Sequence, residues 1–183
     1  MSLKVPSSLV SVDWLSNNLE AQNLIVLDAT IPKVASKSKF KNEKVSIKNA
    51  IFFDIKNQFS DKTSRFPNTV LDVTSFEKEA QNLGINNNSC IVVYDDYGIY
   101  SSPRVWWLFQ LMGFTNIAVL DGGLLKWKEQ NNPTEKPKEN LLKEGNFKAD
   151  YKPNKIVFTK DVLENIKSKE YVVVDARSKG RFY

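Results

Sequence analysis

Histidine is absent from the 183 residues. That removes the Ser-His-Asp and Cys-His catalytic arrangements, the usual zinc-binding constellations and any imidazole proton shuttle. Cysteine occurs once, at Cys90, so no internal disulfide can form and the chain fits a reducing compartment. No apolar run approaches the roughly 20 residues that cross a bilayer. The amino-terminal stretch MSLKVPSSLVSVDW has neither the apolar core of a signal peptide nor an Arg-rich transit pattern. The expected location is therefore the cytosol, or the mitochondrion if a leader has been removed. A net charge of +5 comes from lysines that alternate with acids, without a basic stripe interleaved with aromatics, which argues against nucleic-acid binding.

What remains is ordinary for a globular protein, with 42% apolar and 11% aromatic residues. Ser11 can cap a helix running to about Glu20, and the apolar run Leu24 to Asp28 reads as a strand. Asn49 to Asp54 is a second strand candidate. Thr74-Ser75-Phe76-Glu77 has capping-box spacing ahead of a helix that stops at Gly84. Strand Ile91 to Tyr94, a helix from Pro103 to Met112, strand Ile117 to Leu120 and a short helix through Trp127 follow. This alternation predicts an α/β domain with a mainly parallel central sheet covered by helices on both faces. Function in such sheets gathers at the carboxyl ends of strands, where Asp28, Asp54 and Asp95 stand.

The stretch Cys90 to Trp127 is the most informative. A seven-residue loop, Asp95 to Ser101, leads into a helix whose expected cap is Ser102, with Pro103 at its first position. Free N–H groups at such a helix start suit an anion. The loop carries Asp95 and Asp96, however, and two carboxylates repel an anion and lose solvation on burial. The expectation is an anion cradle kept in shape but chemically silent.

Residues 128–155 are rich in Lys, Glu, Asn and Pro and read as an extended linker. Beyond them the chain repeats its beginning. SVDWLSNNLEAQNLIVLDA at residues 11–29 matches TKDVLENIKSKEYVVVDA at 159–176, with Asp28 and Asp175 lying 147 positions apart. That is the spacing of a whole domain. The expected organisation is a domain over 1–127, a linker over 128–155 and the opening of a second copy over 156–183, which should fray or dock on the first domain.

Several blocks carry a resemblance: FFDI at 52–55, SDKTS at 60–64, LGI at 83–85, VVYDDYGIYSSPRVWW at 92–107, VLDGGLLKW at 119–127 and VVVDARSKGRF at 172–182. Together they resemble the rhodanese superfamily, in particular its tandem two-domain sulfurtransferases acting on thiosulfate or 3-mercaptopyruvate. The resemblance implies that 1–127 is a non-catalytic first domain with Asp95 at the loop position of the active copy's cysteine, and that the catalytic cysteine loop lies beyond Tyr183. It also implies sulfur transfer through a cysteine persulfide to a thiol or cyanide, without metal or organic cofactor. The partners it implies are the small-molecule donor and acceptor and the chain's own second domain, not nucleic acid or membrane.

The resemblance makes Arg181 a holder of a keto-acid carboxylate in the cleft, a task that suits a guanidinium; as an exposed terminal arginine it would do nothing. Tyr100 would donate a hydrogen bond to substrate, or else pack its loop. Cys90, at the start of a buried strand, is read as structural. Trp106, Trp107 and Trp127 are read as packing residues. Arg104, inside a helix start, should have an acidic partner, and Arg177 could pair with Asp175. SIKNA at 46–50 and PNTVL at 67–71 depart from the family's pattern: Asn68 stands where a histidine is expected, and Lys56 lies near an expected acid. A serine-protease-like relay through those groups is not expected here.

Overall fold

A computed structural model describes residues 2–31, 44–137, 143–177 and 179–182, with only the backbone of Arg181 and Phe182 described. Along the chain run β1 (Leu9–Val10), α1 (Val12–Asn18), β2 (Leu24–Asp28), β3 (Ser46–Ile47), β4 (Ile51–Phe52), α2 (Val73–Asn82), β5 (Cys90–Tyr94), α3 (Ser102–Leu111), β6 (Ile117–Leu120), α4 (Gly123–Glu129) and β7 (Thr134–Glu135). Five strands form one sheet in the order β1-β6-β5-β2-β4, every pairing parallel. β3 and β7 make a separate antiparallel pair. No helix among the described residues is long and apolar enough to cross a membrane.

The near-continuous apolar runs of β2, β5 and β6 exist because both sheet faces are covered. Successive side chains point to opposite faces. Leu27, Ile91 and Val93 therefore join the Phe76, Leu108 and Phe109 side chains of α2 and α3. Val26, Val92 and Tyr94 join Val12, Leu15, Leu124 and Trp127 of α1 and α4 on the other face. Cys90 is fully buried at the start of β5. Burial pushes its thiol up to about 11, the opposite of what a reactive thiolate needs.

Local starts and stops differ from expectation where several polar residues compete. Asp72, not Thr74, caps α2, accepting the Ser75 N–H at 3.0 Å. A carboxylate ahead of the first turn accepts a free N–H with charge assistance, which the Thr74 hydroxyl cannot match. Gly84 ends the helix at φ 71°, as the sequence predicts. The strand expected over 49–54 narrows to Ile51–Phe52, because Asp54 turns the chain by accepting the N–H groups of Lys56 and Asn57.

The first compact unit runs through Lys152 and the second covers Pro153 to Tyr183. In the first, Phe147 is fully buried against Phe76 and Phe109. Residues 138–142 of the expected linker lie outside the described residues. The second unit holds α5 (Thr159–Ser168) and α6 (Lys179–Phe182). The strand expected at Val172–Asp175 is not formed: these residues have no ladder partner among the described residues, and Val172 is 90% exposed. A strand is defined by its neighbour's hydrogen bonds, and sequence alone does not supply the neighbour.

Candidate functional site

The carboxyl ends of β2 and β5 are adjacent, with Asp28 in register with Tyr94. The loop from Asp95 to Ser101 therefore opens at the edge where α/β sheets place ligands. Its shape is set by one side chain. The fully buried Asp95 carboxylate accepts the N–H of Tyr97 on Oδ1 at 2.9 Å. On Oδ2 it accepts the N–H groups of Tyr100, Ser101 and Ser102 at 2.8, 3.0 and 3.0 Å, and the Ser102 hydroxyl at 2.7 Å.

The expected cap assignment changes accordingly. Ser101 is the residue at the N-cap and makes no side-chain cap bond, while Ser102 lies inside the helix and donates its hydroxyl to Asp95. Asp95 takes the capping role from outside the helix because it accepts the orphan N–H groups of Ser101 and Ser102 at the helix start together. Its carboxylate is thus the anion in the cradle and not a charge that spoils it. Burial acts to raise its pKa, but the N–H and hydroxyl of Ser102, with the N–H groups of Tyr100 and Tyr97, outweigh burial and hold the group below the ordinary carboxylate range.

Asp96, one residue on, is in the opposite condition. Its N–H donates to the Thr30 hydroxyl at 3.1 Å, but its buried Oδ1 has no hydrogen-bond partner. Burial, then the charge of Asp28, pushes its pKa up, and the Thr30 hydroxyl and Lys44 offset this in part. Asp28, itself buried, accepts the Thr30 N–H at 2.9 Å. The Tyr94 hydroxyl accepts the Ile47 N–H at 3.2 Å, and burial with the charges of Asp28 and Asp96 pushes its phenol far up.

The loop is held from below by the Asp121-Gly122-Gly123 turn. Leu124 N–H donates to the Asp95 carbonyl at 3.1 Å. A Cβ on Gly123 would stand 2.3 Å from that same carbonyl and 2.8 Å from the Gly98 carbonyl, so a side chain there would displace the loop. Gly122, at φ 82°, lets the chain turn into α4. The co-occurrence of the loop and the VLDGG block in the sequence thus has a steric cause.

Of the residues singled out from sequence, Tyr100 sits on the loop, about half exposed, with its ring edge-on to Tyr97 at 5.6 Å. Arg181 falls in α6 of the second unit, and its side chain lies outside the described residues. The acidic partner expected for Arg104 is not found among the described residues. Its Nη2 donates to the Asn68 carbonyl, and its guanidinium lies 5.6 Å from the Trp107 ring centroid. A face of indole stabilises the cation in place of a carboxylate. Asn68, at φ 59°, serves that contact through its backbone. Trp127 is fully buried and donates Nε1–H to the Pro133 carbonyl at 3.0 Å; Trp106 and Trp107 pack partly buried against the core. Arg177 pairs with Asp175, Nε donating at 2.9 and 2.7 Å to the two carboxylate oxygens. Thr30 and Lys44 were not singled out; an Asp-x-Thr at a strand end is the signal for the first.

A groove of about 1120 Å³ lies at the other end of the sheet, lined by Asn23, Leu24, Asn88 and Ser89 among others. The Asn23 amide spends its groups on Ser2, Leu3 and Asn88, so the groove wall is structural. No group of three or more potential metal ligands occurs among the described residues.

Comparison with known proteins agrees with this geometry. The rhodanese-like domain family matches residues 11–130. The chain is 37% identical to the 3-mercaptopyruvate sulfurtransferase of Mus musculus over 183 residues, covering 96% of this chain and 61% of that protein. It is 33% identical to the thiosulfate sulfurtransferase of Rattus norvegicus, with the same coverages. The crystal structure of SseA from Escherichia coli, a 3-mercaptopyruvate sulfotransferase, superposes with a TM-score of 0.85 at 29% identity, covering 96% of this chain and 68% of that one. The chain thus spans about 61% of the length of the curated relatives it matches. With a doubly covered parallel sheet, a self-occupied loop at its carboxyl edge and a family match through α1 to α4, this chain belongs to the rhodanese-like family.

Proposed function

We propose that this chain forms one wall of the active cleft of a sulfurtransferase that moves sulfane sulfur from 3-mercaptopyruvate or thiosulfate to a thiol or cyanide. In this reading residues 1–127 are the non-catalytic rhodanese-like domain, 128–155 the connection and 156–183 the opening of a second one that carries the reactive cysteine. The observation that carries it is the Asp95 seat. Four backbone N–H groups and one hydroxyl converge on a single anion. That is the donor arrangement a cysteine persulfide needs, filled here by a carboxylate.

The chemistry is a two-step exchange. A cysteine thiolate attacks the donor's outer sulfur. The carbon–sulfur bond of 3-mercaptopyruvate breaks, with its electrons leaving on the enolate that takes a proton to become pyruvate; from thiosulfate, sulfite leaves. The acceptor thiolate then attacks the terminal sulfur of the persulfide and frees the cysteine thiolate. Arg181 would grip the donor carboxylate through two N–H groups, and the Tyr100 hydroxyl would donate across the cleft. In the full-length parent, Arg181→Ala should lower kcat/KM for 3-mercaptopyruvate by about 100-fold and Tyr100→Phe by about 10-fold. Unchanged kcat/KM in Arg181→Ala would remove that residue from the site.

A second reading, a catalytically inactive module that binds partners, draws on the burial of Cys90 and its thiol pKa of about 11. Intact mass after incubation of the 183-residue chain with 3-mercaptopyruvate or thiosulfate bears on both readings. No added sulfur is expected under either, and a stoichiometric adduct would overturn the structural reading of Cys90 and make this chain a sulfur carrier in its own right.

A further inference from the structure

The two loop carboxylates are neighbours in sequence, yet Asp95 has five donors and Asp96 has a buried oxygen with none. Asp95 is not held as a countercharge, because no cation contacts it among the described residues; its partners are the N–H groups of its own loop and the first turn of α3. It behaves as a bound ligand that happens to be tethered. Tyr100 N–H is one of its donors, so the carboxylate also fixes where the exposed Tyr100 ring is carried. One further polar group lies at the start of α3. Ser101, 3% exposed and at the N-cap of the ten-residue α3, has a buried hydroxyl without a hydrogen-bond partner.

We infer that Asp95 is the positioning residue of this loop, acting as an internal anionic ligand, and that the seat it fills becomes a binding site for a small free carboxylate when its side chain is shortened. The inference stands whether or not the parent protein transfers sulfur. Removing the carboxylate leaves four N–H groups and a hydroxyl aimed at an enclosed space. Each buried donor left without a partner costs free energy, and an external anion that restores the partner must bind the folded state preferentially. Formate with an alanine at 95 reproduces the atoms of the aspartate side chain, as acetate does with a glycine.

The test uses the 183-residue chain. Asp95→Ala should lower Tm by about 5–10 °C. Millimolar formate should recover at least about half of that loss with saturation, since linkage stabilises in proportion to ln(1 + [L]/Kd). Equal sodium chloride or neutral formamide should recover none, and wild type should not respond. The amide resonances of Tyr97, Tyr100, Ser101 and Ser102 should move back toward their wild-type positions along the same titration, a readout that general stabilisation does not produce. Asp95→Asn keeps the volume but opposes the donors with an amide, so it should be destabilised and insensitive to formate. If Asp95→Ala is unfolded alone, folding against rising formate reads the same linkage. Absence of recovery, or equal recovery of Asp95→Asn, overturns the inference.

Discussion

Residues 11–30 and 159–177 are written in nearly the same pattern and end in different structures. In the first copy, Ser11 caps α1 by accepting the Trp14 N–H at 3.1 Å, and Leu24–Asp28 becomes a strand paired on both sides, with Leu27 fully buried. In the second, α5 forms, but Val172, Val173 and Val174 stay 90%, 69% and 80% exposed and pair with nothing among the described residues. Local features survive in both. Asp28 accepts the N–H of Thr30 and Asp175 that of Arg177, each two residues on and each at 2.9 Å. Asp161 accepts the Phe158 N–H at 2.7 Å at the start of α5, a cap made by a different residue for the same purpose. Helices and turns satisfy their hydrogen bonds within a few residues, whereas a strand depends on segments far away in sequence.

Hydrogen exchange is the sharpest way to break this comparison. Amides of β2 engaged in the sheet ladder should open only by unfolding the first unit, giving protection of at least about 1,000-fold. Residues 172–176 should exchange close to the unprotected rate, while Tyr171, whose N–H donates to the Asn165 side chain, and Arg177 should be slowed modestly. Comparable protection in both segments would mean that the second copy has found a neighbour. Mutation gives the next largest contrast. Leu27→Ala removes a fully buried side chain and should cost about 3 kcal/mol. Its counterpart Val174→Ala should change stability by less than about 0.5 kcal/mol. Denaturant unfolding followed by tryptophan fluorescence reads the first unit, where all four tryptophans lie, and far-ultraviolet circular dichroism reads the whole chain for Val174→Ala.

The same division between local and distant determines what the sequence could disclose. The α/β alternation, the sheet's parallel character and the glycine stops at Gly84 and Gly113 were legible, because apolar periodicity and positive-φ positions are written locally. β1, β3 and β7 were not, since two residues carry no period and each exists through its partner. The candidate loop was found through its flanking strand and helix start, but the role of Asp95 was inverted. A buried carboxylate reads as a cost until its donors are known, and those donors converge only once the loop closes around it. The expected acid beside Arg104 is likewise not found among the described residues: the partners seen there are an indole face and a backbone carbonyl. Asp96 carries the lesson into energetics. Its raised folded-state pKa means that the ionised form is disfavoured by folding, so its contribution is best at low pH and is lost as pH rises through the folded value. Asp96→Asn should therefore raise stability at pH 7 by about 1 kcal/mol, with the advantage shrinking as pH falls toward the ordinary carboxylate range. A variant less stable than wild type at pH 7 would show that the Asp96 charge has a partner in solution.

The smallest expected effect concerns the exposed aspartate of the second copy, where burial no longer governs. Hydrogen bonds from the Arg177 side chain and N–H hold the Asp175 carboxyl below its ordinary value, against a weaker opposing effect of desolvation. Both groups are solvent-screened, so the pair should add almost nothing to stability. Arg177→Ala removes the larger contribution and keeps the backbone one, so the Asp175 carboxyl should titrate higher than in wild type and still below an unbonded aspartate. Side-chain carbonyl NMR against pH measures this residue by residue. If Asp175 instead titrates higher than an unbonded aspartate in the variant, desolvation outweighs the backbone hydrogen bond there, and the second copy is already more enclosed than its exposed valines indicate.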